Sequence, residues 1–337
     1  MSELFAKFVA GERVAVETAL RQSLPLSTLA RAGRLNEALE YAVFPGGKRL
    51  RPALSLLASR LAGASTAQAL AAACAVEFLH TSSLILDDLP SMDDADVRRR
   101  RPALHLVYGE GVAVLAAVAL LNQSYALLNE AAGDDGRELL RAAARSVGAD
   151  GMVGGQVVDL VTRAATADEE ALASRDLKTV ALMRLLMTAG ALACGAGAEE
   201  TRALADFGDC FGRAYQVCDD VRDETCPPDV TGKPARQDAR NGRASAVTGF
   251  GAEGARRFAR RLVARGVARL HERFGPREEV TLLADAAHHV LDATGAAGAQ
   301  GKPAKSVPSA VAGGSCLRVK SSLSQTYPPA TAGGSDN

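Results

Sequence analysis

Two clusters of carboxylates, each at the end of a long apolar run, constrain this chain more than any other feature. The first is Asp87-Asp88-Leu-Pro-Ser-Met-Asp93 and the second is Asp219-Asp220-Val-Arg-Asp223. On a helix Asp219 and Asp223, four apart, and Asp220 and Asp223, three apart, share a face, and Gln216 lies one turn before Asp220. Like charges at these spacings destabilise a bare helix by about 0.2–0.5 kcal/mol per pair. A carboxylate at the buried end of an apolar helix needs a partner. A divalent cation supplies one. Mg²⁺ takes one or two carboxylates, several waters and phosphate oxygens. Two such clusters facing each other across a bundle would therefore hold a diphosphate through Mg²⁺. A solvated acidic face explains one isolated cluster; it explains a matched pair poorly.

The runs between the clusters read as helix. Hydrophobic residues make up 47% of the 337, yet aromatics only 4% and Trp none, so Ala and Leu carry the apolar content. Helices are expected over about 3–22, 34–43, 50–63, 66–88, 110–132, 136–149, 167–174, 176–197, 200–224, 251–273 and 277–293, with no strand pattern and no internal repeat. Pro90 cannot donate to the carbonyl of Leu86, so the fourth helix must end or kink inside the first acidic cluster, with Asp93 reaching back from a looser segment. Residues 1–295 form one all-α domain in this reading. From 296 to 337 the composition shifts to Gly, Ala, Pro, Ser and Thr, which predicts a disordered tail.

Charge and cysteine content exclude several functions. Lys+Arg and Asp+Glu are 39 each, so net charge offers nothing to nucleic acid or an anionic membrane. The continuous apolar runs, 112–121 and 185–198, are too short to span a bilayer, and stable membrane insertion is not expected. Met1-Ser-Glu-Leu-Phe-Ala-Lys7 lacks a signal-peptide core. The six cysteines have no zinc-ligand spacing, and those in helical patterns read as small core residues, which suits a cytoplasmic protein.

Local basic and polar groups cluster near the acids. Phe44-Pro-Gly-Gly-Lys-Arg-Leu-Arg-Pro52 breaks a helix and places cations at the start of the next, a candidate anion site through Lys48 and Arg51 or simply a solvated basic turn. After the first acidic cluster, 91–101 is a charged loop whose Arg98 and Arg99 suit bidentate phosphate binding. Gln156 and Asp159 are polar groups in an apolar setting and should line a cavity or brace a ligand. Lys178, read at a helix start, opposes the dipole and needs an anion. Glu77-x-x-His80 raises a di-iron bundle, but that site needs a second such pair and the sequence has none.

Taken together, these residues resemble the trans-isoprenyl diphosphate synthases across roughly 25–295. The resemblance rests on Gly46-Gly-Lys-Arg-Leu-Arg-Pro52, Glu77-Phe-Leu-His80, the acidic motif at 87–93 with Arg98-Arg99, Gly155-Gln-Val-Val-Asp159, Lys178-Thr179, Tyr215-Gln216 with the motif at 219–223, and Gly232-Lys233. It implies an all-α isoprenoid-synthase-type bundle around a deep central cavity, a homodimer, and three Mg²⁺ ions. Asp87, Asp93 and Asp219 would be metal ligands, supported by Asp88, Asp220 and Asp223. Arg98, Lys178, Thr179, Gln216 and Lys233 would surround an allylic diphosphate, and Lys48, Arg51, His80 and Arg99 would take isopentenyl diphosphate. The sequence departs from the family pattern at Arg100 and Arg236, where Gly is usual, at Ala103, where Thr is usual, and at Arg243, near a usual Lys.

The resemblance also sets a product expectation. Family members that stop at fifteen carbons carry an aromatic residue four or five positions before the first Asp. Here those positions are Ser83 and Ser82, so the cavity should extend at least another turn, about 5.4 Å, to a floor at Phe78. The expected product is C20, geranylgeranyl diphosphate, with C15, farnesyl diphosphate, as the alternative. A non-catalytic regulatory subunit would typically lose one acidic motif, and this chain keeps both. A terpene cyclase or a head-to-head synthase would not need the basic stretch at 48–51.

Overall fold

The computed structural model describes residues 2–44, 46–133, 136–161, 169–225 and 245–295. The expected tail at 296–337 and the loop carrying Lys233, Arg236 and Arg243 lie outside the described residues. Within them the chain is a helical bundle: α1 Glu3–Ser23, α2 Gly33–Val43, α3 Leu50–Ala62, α4 Thr66–Asp87, then β1 Val97–Arg98 and β2 Arg101–Pro102, α5 Leu104–Tyr108, α6 Glu110–Ala132, α7 Arg137–Val147, α8 Met152–Val161, α9 Glu169–Ala193, α10 Ala198–Thr225, α11 Ala246–Phe274 and α12 Glu278–Gly295.

Local chemistry sets the helix ends. Ser65 and Gln68 form a reciprocal capping box that starts α4, and Ser245 and Thr248 do the same for α11. Asp88 caps α4, and Pro90 follows, as expected. Gly251, at φ 64°, kinks α11 one turn after its start.

Three readings are corrected. The helices expected at 167–174 and 176–197 are one continuous helix over the described residues, α9 Glu169–Ala193, because Ala-Leu-Ala-Ser-Arg carries no breaker between them. Lys178 therefore sits inside a helix rather than at its start. The stretch 97–102 forms a minimal antiparallel hairpin, pairing Val97 with Pro102 and Arg98 with Arg101. Its two-residue turn has positive φ at both Arg99 (52°) and Arg100 (63°), a primed hairpin turn made without glycine.

Helix α9 is central. It packs on α3, α8 and α10, and small residues let the backbones close up. A Cβ on Gly155 of α8 would lie 2.3 Å from the Lys178 N, and one on Gly190 would lie 2.0 Å from the Ser59 Oγ of α3. Helix α4 packs on α6, α3 and α9, burying Phe78, Leu79 and a run of alanines. By length and composition α4 and α6 could each cross a membrane. In α4, however, Glu77 and Asp87 are tied to cations on other segments, so its buried charges are met within the bundle.

Because Gly155 meets backbone rather than a movable side chain, Gly155→Ala should separate α8 from α9. The expected cost is about 1–3 kcal/mol, read as a lower urea midpoint with unchanged helix content.

Candidate active site

Both acidic clusters open into one cavity of about 510 Å³. Helix α4 brings His80 and Leu84, its last turn leads to Asp93, and the hairpin hangs Arg98 and Arg99 over the rim. Across the cavity, α9 presents Lys178 and Thr179 and α10 presents Gln216, Asp219, Asp220 and Asp223. Lys48 and Arg51 line it from the start of α3, and Asp159 from α8.

The acids are held by ion pairs and hydrogen bonds that cross between elements. The Lys178 Nζ lies 3.0 Å from the Asp87 Oδ2, joining α9 to α4. Arg98 grips Asp88 with Nε 3.0 and 2.9 Å from its two oxygens, and Nη2 also contacts Oδ1. The Asp93 N–H donates to the Asp87 carbonyl at 2.9 Å, which folds the segment after Pro90 back onto the helix end. Burial pushes the Asp87 carboxyl above its ordinary range even against the pull of Lys178. Asp220 accepts from the Gln216 Nε2 at 3.1 Å and from the Ala246 N–H at 2.7 Å, so both of its oxygens are engaged. The Thr179 Oγ1 donates to the Gln216 Oε1 at 3.0 Å. Asp219, by contrast, is exposed to the cavity.

The opposite wall is cationic. Arg51 leans over the Tyr215 ring at 5.7 Å, yet its buried Nε has no partner among the described residues, and neither has the buried Nη1 of Arg99. Burial, together with Arg49, Arg51 and Arg98, pulls the Arg99 guanidinium below its ordinary range, with Glu77 opposing. His80 sits among the same cations. Burial first, then Arg51, Arg99 and Arg98, holds its imidazole well below 6.5 and therefore neutral at pH 7. Orphaned buried donors on mutually repelling cations call for an anion.

Sequence reasoning missed Arg49. It is a buried strut: its Nη1 lies 2.6 Å from Glu77 Oε1, its Nε 2.9 Å from Glu17 Oε1, and its Nη2 donates to the Val43 carbonyl at 2.8 Å. The signal available was Glu77, an acid in an apolar helix that had to find a cation. Also missed was the latch of the hairpin to α2. Arg101 stacks 3.6 Å from the Tyr41 ring centroid and donates to the Phe44 carbonyl at 3.0 Å, while the Tyr41 hydroxyl donates to the Pro102 carbonyl at 2.9 Å.

The chain-length residues lie outside the cavity. Ser82, expected to border open space, is buried with its Oγ donating to the Ala117 carbonyl of α6 at 2.9 Å. Ser83 donates to its own helix at the His80 carbonyl, 2.9 Å away. Phe78, the expected floor, is fully buried one turn deeper. The cavity meets this helix at Glu77, His80 and Leu84 but not on the Ser82 face, which α6 covers at Ala117 with the buried Ala113 and Ala116 beside it on the same helix.

Among the described residues no three acids already close around one metal position. The donor set still fits Mg²⁺, which asks for only one or two carboxylates per ion and fills its remaining positions with water and phosphate oxygens.

Because His80 is held neutral in the folded state and has an ordinary pKa when unfolded, stability is complete above about pH 6.5 and falls as pH drops below it. Between pH 7.5 and 5.5 the loss from this residue should be on the order of 1 kcal/mol. His80→Gln, measured by urea unfolding at both pH values, should lose that much less than the parent protein.

Comparison with known proteins converges on one family. A family model described as polyprenyl synthetase matches residues 32–269. The chain is 36% identical over 264 residues to the heterodimeric geranylgeranyl pyrophosphate synthase large subunit 2 of Arabidopsis thaliana, covering 77% of this chain and 69% of that one. It is 36% identical over 267 residues to geranylgeranyl pyrophosphate synthase 9, chloroplastic, of the same plant, covering 77% and 73%. Among solved structures, an FPP/GFPP synthase from Zymomonas mobilis superposes with a TM-score of 0.70 at 30% identity, covering 84% of this chain and 99% of that one. A polyprenyl synthase from Caulobacter crescentus CB15, solved with calcium and isoprenyl diphosphate, shares the fold at 24% identity, with a TM-score of 0.74 over 86% and 97% of the two chains.

Proposed function

We propose a mechanism and a product for this chain, which belongs to the polyprenyl synthetase family of metal-dependent trans-prenyltransferases. The reaction is head-to-tail condensation of isopentenyl diphosphate with an allylic diphosphate. The observation that carries the mechanism is the division of one cavity into an acidic wall and a wall of cations with orphaned donors.

Asp87, Asp93 and Asp219 are the residues that would hold Mg²⁺, three ions in all, with Asp88, Asp220 and Asp223 in support. Bound there, Mg²⁺ would stabilise negative charge on the leaving diphosphate. Lys178, Arg98, Thr179 and Gln216 would bind and orient the allylic diphosphate, with Lys233 joining them from outside the described residues. Their charges favour the state in which the allylic C–O bond has broken and its electron pair has gone to the diphosphate. Lys48, Arg51, Arg99 and neutral His80 would hold isopentenyl diphosphate with its double bond toward the allylic carbon. That double bond forms the new C–C bond, and the adjacent proton leaves to the released diphosphate. The hairpin, latched by Arg101 on Tyr41, would help keep water from the cation.

The product we infer is geranylgeranyl diphosphate. Relatives bearing that name support it, as does the lack of an aromatic residue at positions 82 and 83. The growing chain would part the seam between Ser82 and Ala117 and stop at Phe78. With Mg²⁺, isopentenyl diphosphate and dimethylallyl, geranyl or farnesyl diphosphate in turn, chromatography of the dephosphorylated products should show C20 from every primer. Ser82→Phe should shift the product to C15. An unchanged C20 product would remove Ser82 from the account, and C15 from the parent protein would favour the farnesyl reading.

We further infer a homodimer. Helix α6 shows solvent an apolar stripe of Val114, Leu115 and Val118, Leu115 being 61% exposed. A second copy of the same helix would cover it. Light scattering should give a dimer, and Leu115→Glu should give a monomer. A parent protein that is monomeric alone would point instead to an unlike partner, as in the relative named a heterodimeric subunit. The unpaired cysteines at 74, 194, 210 and 218 are consistent with placing the protein in a reducing cytoplasm.

A further inference from the structure

The second acidic motif has two intervening residues, and the structure gives them opposite environments. Val221 is fully buried in the core, whereas Arg222 lines the cavity. At about 100° per residue, α10 divides into two flanks about Asp219. Gln216, Asp220 and Asp223 fall on one side, where Gln216 meets Thr179. Tyr215 and Arg222, seven residues apart, fall on the other, almost in line. Tyr215 is the residue under Arg51, so this second flank faces the start of α3.

Three further observations place Arg222 with the cationic wall. It makes no ion pair or hydrogen bond with another described residue, although carboxylates stand one turn before it and next to it at Asp219 and Asp223. It acts together with Lys48 on His289 of α12: burial first, with both of these cations adding to it, lowers that imidazole. Arg51 and Arg99, which share the cavity, retain buried donors with nothing to bond. A half-buried cation without a partner among the described residues, in a wall already crowded with positive charge, favours an entering anion.

We propose that Arg222 is a substrate-binding residue for the isopentenyl diphosphate, a cation supplied by α10 opposite Lys48 and Arg51. This rests on the reading of the cavity given under Proposed function. It adds that the residue inside the acidic motif serves the other substrate. The diphosphate oxygens turned away from α3 would accept from its guanidinium. The subsite is then cationic on both sides and needs no divalent ion to bind its ligand.

Equilibrium titration of the full chain with isopentenyl diphosphate in EDTA tests this directly. The parent protein should bind, Arg222→Leu should bind about tenfold more weakly, as expected for one charged hydrogen bond, and Arg222→Lys should recover part of the loss. In steady state with Mg²⁺, Arg222→Leu should raise KM for isopentenyl diphosphate and leave KM for geranyl diphosphate within about twofold, the split that a merely structural role would not produce. Should the leucine variant misfold by circular dichroism, Arg222→Gln replaces it. Unchanged isopentenyl diphosphate binding in the variant, a parent protein that binds only with metal, or a rise confined to the allylic KM would each overturn the assignment. Failure of the parent protein to condense any pair of substrates would overturn the proposed function instead, while the titration in EDTA still decides Arg222.

Discussion

The 3.0 Å contact between Lys178 and Asp87 is the interaction on which the cavity depends. A buried carboxylate at the end of an apolar helix is unfavourable alone, and burial does raise the Asp87 pKa. Lys178 offsets part of that cost from a different helix, so the charge that makes the site also holds α9 against α4. The same economy recurs at the rim, where Arg98 clasps Asp88 and draws the hairpin over the opening. In each case the partner is a cation that an entering diphosphate can claim for itself. Asp87 and Asp88 are thus paired with cations that stand in reach of the cavity before substrate arrives.

Rigidity in the surrounding helices makes this possible. Gly155 brings α8 against the backbone of α9 at Lys178 itself, and Gly208 and Gly212 bring α10 against α9 near Met183 and Val180. Side chains on α9 are thus positioned by backbone contact, which leaves little slack. Arg49 performs the matching task on the other wall, where two acids from α1 and α4 converge on one guanidinium. Removing one member of such a buried cluster strands the others, so the cost would greatly exceed the worth of any single bond.

Most of the fold and much of the site were legible in the sequence, for identifiable reasons. Helices were readable because their apolar runs are long and end in strong signals, such as Pro90 after α4 and Ser65 before it. Residues such as Lys48, His80, Lys178 and Asp219 announce themselves because charged groups in apolar helices or beside paired glycines need a purpose. What stayed hidden depended on direction rather than identity. Nothing in the local sequence says that Ser82 turns its hydroxyl to Ala117, that Arg49 is clasped by Glu17, Glu77 and the Val43 carbonyl, or that Arg99 and Arg100 adopt a primed turn without a glycine. Each is decided by a partner far along the chain.

The seam between Ser82 and the alanines of α6 lies outside the charged cavity and shares none of its ion pairs. If the growing chain parts that seam as proposed, a change of size there would alter how far the hydrocarbon penetrates and leave the diphosphate groups where they were. Catalysis and product size would then be separable traits in this architecture. Over generations a lineage could lengthen or shorten its product by single exchanges at that seam, without passing through an inactive ancestor.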